Sequence, residues 1–114
     1  MSYEINPTKT FLVEAKKLKK RYHSFEKDLE DFKESLQDNP FQGTELCPNI
    51  RKIRMPITAK GRGKSGGTRV ITANAIIAEN QGHIALLTIY DKSDYSSVDV
   101  KIIKRMAREL GFDV

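Results

Sequence analysis

The apolar positions of this chain change period twice, and those changes divide it into helices, strands and a last helix. Phe11, Ala15, Leu18 and Tyr22 recur at i, i+4, i+7 and i+11, with Leu12 beside the stripe, so one face of an α-helix is apolar. Pro7 stands ahead of it, where the first turn of a helix tolerates a missing N–H. His23 and Ser24 interrupt the pattern. Ser24 is a candidate N-cap with Glu26 and Asp28 in the turn after it. Phe25, Leu29, Phe32 and Leu36 then repeat the helical spacing until Asn39-Pro40 ends it. Two amphipathic helices joined by so short a turn predict an antiparallel hairpin that lays its apolar stripes on a sheet.

From residue 50 the period drops to two. Ile53 and Met55 alternate with Lys52 and Arg54, which predicts a strand over Ile50–Met55 that is buried on one face and cationic on the other. Thr68–Glu79 alternates through Ile71, Ala73, Ala75 and Ile77 and predicts a long strand, with Arg69 at the start of the apolar parity. Asn80-Gln81-Gly82 predicts a turn. His83–Tyr90 is apolar at both parities and predicts a central strand, in which strict alternation puts Leu86, Thr88, Tyr90 and Lys92 on one side. Ser2–Ile5 reads as a short edge strand with Tyr3 and Ile5 on one face, and Phe41–Asn49 and Asp91–Tyr95 read as loops. Ser96-x-x-Asp99 has the form of a capping box ahead of Val100, Ile103, Met106 (with Ala107) and Leu110, a third helix that Gly111 stops. The predicted class is α+β, one domain over residues 1–114, with a helical hairpin on a small, mainly antiparallel sheet and a C-terminal helix.

Charge changes the picture most. Ile50–Thr72 holds Arg51, Lys52, Arg54, Lys60, Arg62, Lys64 and Arg69 and no acidic residue, while the arms on either side are each one charge negative. The formal +5 of the chain therefore comes from one +7 block, a field that attracts polyanions and speeds their encounter. The basic run of the first helix (Lys16, Lys17, Lys19, Lys20 and Arg21) could contact nucleic acid but reads first as a solvated face, diluted by Glu14 and nearby acids. At 39% hydrophobic over 114 residues, a core forms without disulfide or metal staples. The single cysteine, Cys47, has no intramolecular partner, which fits a reducing cytosol, and no histidine neighbours it to make a catalytic thiol. The start lacks the apolar run of a signal peptide, and no stretch approaches the roughly 20 apolar residues of a membrane span, so no membrane partner is expected.

Gly61–Gly66 satisfies G-x-G-x-x-G, but a strand follows where a dinucleotide site needs a helix. Gly63-Lys64-Ser65 ends like a P-loop, yet Thr58 stands where the earlier glycine is required. What survives is a strand-to-strand loop rich in backbone N–H groups and cations, suited to a phosphate chain. The block has no carboxylate to hold Mg²⁺ and the chain has no Cys/His metal spacing, so neither metal nor cofactor is expected.

IRKIRM, then GRGKSGGTRVI, then LLTIYDKSD resembles the RelE/ParE superfamily of type II toxins, and most closely the HigB-type branch of RelE-like mRNA interferases. The resemblance covers roughly residues 50–94, with two leading helices and a closing helix in the expected order. It implies a RelE-like fold and an endoribonuclease that cleaves mRNA in the ribosomal A site and inhibits translation in the cytoplasm. It also implies a cognate antitoxin, expected to be a helix-turn-helix protein encoded nearby. By the same resemblance Lys52 and Arg54 correspond to paired basic residues of the family's second strand. Arg69 corresponds to the arginine that holds the scissile phosphate, and Lys92 to a basic residue after the last strand. Arg51, Lys60, Arg62 and Lys64 are the candidates to hold RNA around them. Where some members use a tyrosine near the start of the last helix, this chain has Val98, with Tyr90 and Tyr95 only as neighbours, so the general base stays unassigned.

The chemistry is coherent from the residues. Attack of a 2′-OH on the adjacent phosphate builds negative charge on phosphorus, which fixed cations stabilise more than the ground state. Arg69 has the planar fork for the phosphate oxygens, with Lys52 or Lys92 for proton transfer. Two rivals come from other classes: a ParE-like, non-nucleolytic inhibitor of DNA gyrase, and an RNA-binding module without catalysis. The first needs protein contact rather than phosphate-facing cations. The second needs aromatics interleaved with its cations, and the block has none.

Overall fold

A single mixed sheet carries the fold in the computed structural model, which describes residues 2–60, 67–95 and 97–114. Its strands are β1 (Glu4–Pro7), β2 (Thr44–Cys47), β3 (Ile50–Met55), β4 (Thr68–Ala78) and β5 (Gln81–Asp91), in the spatial order β1-β5-β4-β3-β2. The pairs from β2 to β5 are antiparallel, and β1 adds parallel to β5. Helices α1 (Lys9–Arg21) and α2 (Phe25–Asp38) precede β2, and α3 (Val100–Glu109) follows β5. The class is α+β, as the change of period predicts. Among the described residues no helix is long and apolar enough to cross a membrane.

Each face of the sheet has its own core. Phe11, Ala15 and Leu18 of α1 and Phe25, Phe32 and Leu36 of α2 pack with Ile53, Met55, Val70, Ile84, Leu86 and Ile89. On the other face Ile103 and Ala107 of α3 pack with Ile50, Ile71, Ala73, Ala85, Leu87 and Tyr90. β5 feeds both cores, which is why its sequence is apolar at both parities. The ten residues of α3 reach about 15 Å, less than half the length of an eleven-residue strand at about 3.4 Å per residue. Its face of the sheet is therefore covered over part of its length only.

Several elements differ from the sequence reading, each for a local reason. Pro7 ends β1 rather than starting a helix, and Thr8 is the N-cap of α1, its Oγ1 accepting from the Phe11 N–H at 3.1 Å. Thr44–Cys47, read as loop, is an edge strand on β3. Arg51 anchors the chain leading into it, donating to the Gln42 and Gly43 carbonyls at 2.7 and 3.0 Å. Gly43 passes so close over β3 that a Cβ there would lie 2.2 Å from the Lys52 carbonyl oxygen, and its φ is +75°. The β4–β5 turn is Glu79-Asn80, with Asn80 left-handed at φ 60°, while Gly82 already belongs to β5. Asp99, not Ser96, caps α3, accepting from the Lys101 N–H at 2.9 Å; Ser96 lies outside the described residues. Leu110 is 52% exposed, and Phe112 and Val114 pack against the α3 core instead.

The alternation in β5 is also broken. Ile71 pairs with Thr88 but Thr72 pairs with Leu86, so Leu87 is an extra residue in the ladder. The bulge puts Leu86 on the hairpin side and Tyr90 on the α3 side, correcting the expectation that they share a face. Lys92 has left the strand altogether. It stands exposed in the following turn, its N–H donating to the Gly67 carbonyl at 3.2 Å.

One buried carboxylate ties the end of β5 to the hairpin. Asp91 is 1% exposed and accepts from the Tyr22 hydroxyl at 2.5 Å, Lys60 Nζ at 2.9 Å, Arg21 Nη1 at 3.1 Å, and the Ser93 N–H and hydroxyl at 2.9 and 2.7 Å. Burial alone would raise its pKa, but Tyr22, Ser93 and Lys60 outweigh it and hold the carboxyl well below the usual carboxylate range. Asp28 of α2 does similar work nearby: it accepts from the Thr58 N–H and hydroxyl and from Ser24, and together they keep its pKa low against burial. Asp91→Asn should cost about 3 kcal/mol, because it leaves Lys60 facing no charge in a poorly hydrated site. Tyr22→Phe should cost about 2 kcal/mol through one lost charge-assisted bond. Because the folded-state pKa of Asp91 is depressed, its contribution is complete above about pH 5 and fades as pH falls below roughly 4 toward the folded value. Urea midpoints for wild type and Asp91→Asn at pH 7 and pH 3 should converge at the lower pH, and a constant gap would refute the linkage.

Candidate functional site

Register across β3, β4 and β5 sorts the α3 side of the sheet into rows. Ile50, Ala73 and Ala85 lie opposite one another and are buried. Lys52, Ile71 and Thr88 form the next row with Ile50's parity. Arg54, Arg69 and Tyr90 form the last. Along the strands this face thus passes from apolar to cationic, and Tyr90 of the last row joins the core that α3 packs on. The same parity that buries Ile53 and Met55 under the hairpin turns Lys52 and Arg54 to the α3 side, as the alternation predicts.

Arg54 and Arg69 are directly opposed. Residues so paired have Cβ atoms about 4.5–5.5 Å apart, and like charges there destabilise a ladder by up to about 1 kcal/mol. A bound anion reverses the sign of that term. Arg54 is exposed and Arg69 half-buried, with Arg69 Nη1 donating to the Thr68 carbonyl at 3.3 Å. Tyr90, third in the row, is 7% exposed, and its hydroxyl is buried without a hydrogen-bond partner among the described residues. Burial raises its pKa while the charge of Arg69 opposes the shift, so the phenol keeps its proton at neutral pH. Tyr95 packs edge-on to it, with ring centroids 6.1 Å apart and planes at 82°.

The candidate residues thus separate. Lys52, Arg54 and Arg69 share one face, and Lys92 lies at the turn that closes its end. Arg51 points the other way along β3, with its guanidinium on the Gln42 and Gly43 carbonyls. Lys60, at the end of a single 3-10 turn (Thr58–Lys60), is bound to Asp91 and stands over the Tyr22 ring at 5.6 Å. Asp91, more than burial opposes it, raises its pKa. Arg51 and Lys60 are thus both engaged in bonds within the chain, unlike the arrangement of Lys52, Arg54 and Arg69 along one face. Arg62 and Lys64, with the glycine run around them, lie outside the described residues.

Sequence reasoning missed Tyr90 as a member of the row, because the bulge at Leu87 is invisible in an apolar run. It also missed Asp91 as an anchor, although the pair Tyr90-Asp91 at a strand end marks where the chain meets both faces. Among the described residues no three His, Cys, Asp or Glu side chains converge as a metal site requires. Compared with protein-family models and with curated proteins, the chain gives no match.

Such a face can hold a phosphate between two guanidiniums and carry a polyanion past them. Arg54→Ala and Arg69→Ala should each weaken binding of a short single-stranded RNA and flatten the slope of log K against log salt by about 0.7 per lost phosphate contact. Arg51→Ala should leave that slope alone and lower stability by about 1 kcal/mol through its lost carbonyl bonds. Titrations across a salt series, beside thermal melts, read both effects. An equal slope change in Arg51→Ala would overturn the division of the cations.

Proposed function

We propose that this chain is the toxin of a type II toxin–antitoxin system: a RelE-like, ribosome-dependent endoribonuclease that acts in the cytoplasm and inhibits translation by cleaving mRNA. The observation that carries the reading is the opposed pair Arg54 and Arg69 beside Tyr90, on the face of the sheet opposite the helical hairpin. Its support in the sequence is the acid-free block that supplies these residues, and the resemblance described above.

In this reading Arg69 and Arg54 grip the non-bridging oxygens of the scissile phosphate. The 2′-oxygen attacks phosphorus and gives up its proton, the bond to the 5′-oxygen breaks, and that oxygen takes a proton as it leaves. Lys52, one row away, and Lys92, at the closing turn, are the side chains placed to assist those proton movements. Charge gathers on the phosphorane oxygens, and guanidiniums fixed on a rigid sheet stabilise it without reorganising. A flat face does not by itself align the 2′-oxygen with the leaving oxygen, and a ribosome holding the mRNA supplies that alignment, worth several orders of magnitude. A cognate antitoxin, expected to be a helix-turn-helix protein encoded nearby, would cover the face with an acidic segment.

Cleavage on programmed ribosomes should leave a 2′,3′-cyclic phosphate upstream and a 5′-hydroxyl downstream, and a 2′-deoxy residue at the cut site should block it. End-group analysis decides this, and 5′-phosphate ends would sink the mechanism. Arg69→Ala should abolish growth inhibition at matched expression with the fold intact by circular dichroism. Full toxicity in that variant would remove Arg69 from the phosphate. Absence of cleavage together with gyrase inhibition would hand the case to the ParE-like alternative.

A further inference from the structure

Tyr90 is buried to 93%, and among the described residues its hydroxyl, itself buried, has no hydrogen-bond partner. Buried tyrosine hydroxyls nearly always find a partner, so an orphan calls for a reason. Two other buried polar atoms share that condition, Thr72 Oγ1 and Asn74 Oδ1, but neither residue belongs to the cationic row. Tyr90 does: it lies directly across β4 from Arg69, at the edge of the apolar core, with its proton held by burial. Tyr95, 61% exposed, packs edge-on to it at the surface.

We propose that Tyr90 is a further catalytic residue of this site, its hydroxyl donating a hydrogen bond to a non-bridging oxygen of the phosphate that Arg69 holds. The proposal rests on the nuclease reading above. No proton is transferred through Tyr90. The donor is unsatisfied in the free protein and satisfied by substrate, and the bond strengthens as charge builds on the phosphorane. Removing one such donor typically slows a reaction about 100-fold or more. A phenol is suited to the place, because a third full charge beside Arg54 and Arg69 would add repulsion in the free protein, whereas a neutral donor adds none.

The test compares wild type, Tyr90→Phe and Thr72→Val in single-turnover cleavage of mRNA on programmed ribosomes, with a thermal melt of each protein. Thr72→Val removes an orphan hydroxyl away from the row and should leave cleavage unchanged. Tyr90→Phe should cut the maximal rate about 100-fold, leave the half-saturating concentration within about twofold, and melt no lower than wild type. Wild-type rate in Tyr90→Phe would overturn the proposal, as would a slow variant that also melts several degrees lower, since the hydroxyl would then be structural. Unchanged maximal rate with weaker saturation would assign it to ground-state binding and overturn the catalytic role. Silence of the wild type itself would mark failure of the nuclease reading, which none of the other outcomes mimics.

Discussion

Everything near the candidate face hangs on a carboxylate on the far side of the sheet. Asp91 is the last residue of β5, and its side chain meets Tyr22 and Arg21 from α1, Lys60 from the turn after β3, and Ser93 from the turn after β5. Burying an ion costs several kcal/mol, and here five donors and two cations offset it. The return is geometric. Three segments distant in sequence are held within one hydrogen-bond shell, and the neighbouring residue on the strand is Tyr90. A strand end would ordinarily fray, since its last ladder bonds face water. Fixing Asp91 from behind holds the last row of the other face in place.

The two faces divide the polar work. Behind the sheet, Asp91 neutralises Lys60 and Arg21, and Asp28 holds Thr58, so that the two tie down the residues from Thr58 to Lys60. In front, Lys52, Arg54 and Arg69 stand in adjacent rows with no acidic residue in their strands until Asp91, which faces backward. The sheet thus separates the cations held by Asp91 from the basic row of β3 and β4 by its own thickness. Period two makes this possible: neighbours in sequence, such as Arg51 and Lys52 or Tyr90 and Asp91, serve opposite sides.

Much of this was legible beforehand. Helical spacing located α1 and α2, because Phe11, Leu18, Phe25 and Phe32 are large and unambiguous. Alternation in Ile50–Met55 and the parity of Arg69 assigned three cations to one face correctly. The misses share a cause: they depend on pairing rather than on local pattern. β2 is a strand only because β3 lends it a ladder, and its own four residues carry no period. The bulge at Leu87 leaves no mark in a run that is apolar on both sides, yet it decides which way Tyr90 points. Charge counting could not tell that Lys60 meets a carboxylate 31 residues away, or that Arg51 is spent on carbonyls.

The basic block presents less charge on one face than it contains. Its +7 is a property of composition, and the face does not present all of it. Lys60 is cancelled by Asp91, and Arg51 lies on the other parity. A field of several charges still steers a polyanion, but contact within about 5 Å is made by the few cations that share a row. Steering and chemistry thus place different demands on the same residues. Steering tolerates movement and is screened within about 10 Å at moderate salt; stabilising a phosphorane requires guanidiniums that do not move. The opposed arginines meet the second demand because each is carried by a paired strand: β4 lies between two neighbours, and β3 is backed by the hairpin core through Ile53 and Met55. An arginine pair on a loop would relax apart under its own repulsion. On this sheet the ladder between β3 and β4 fixes the two positions opposite one another.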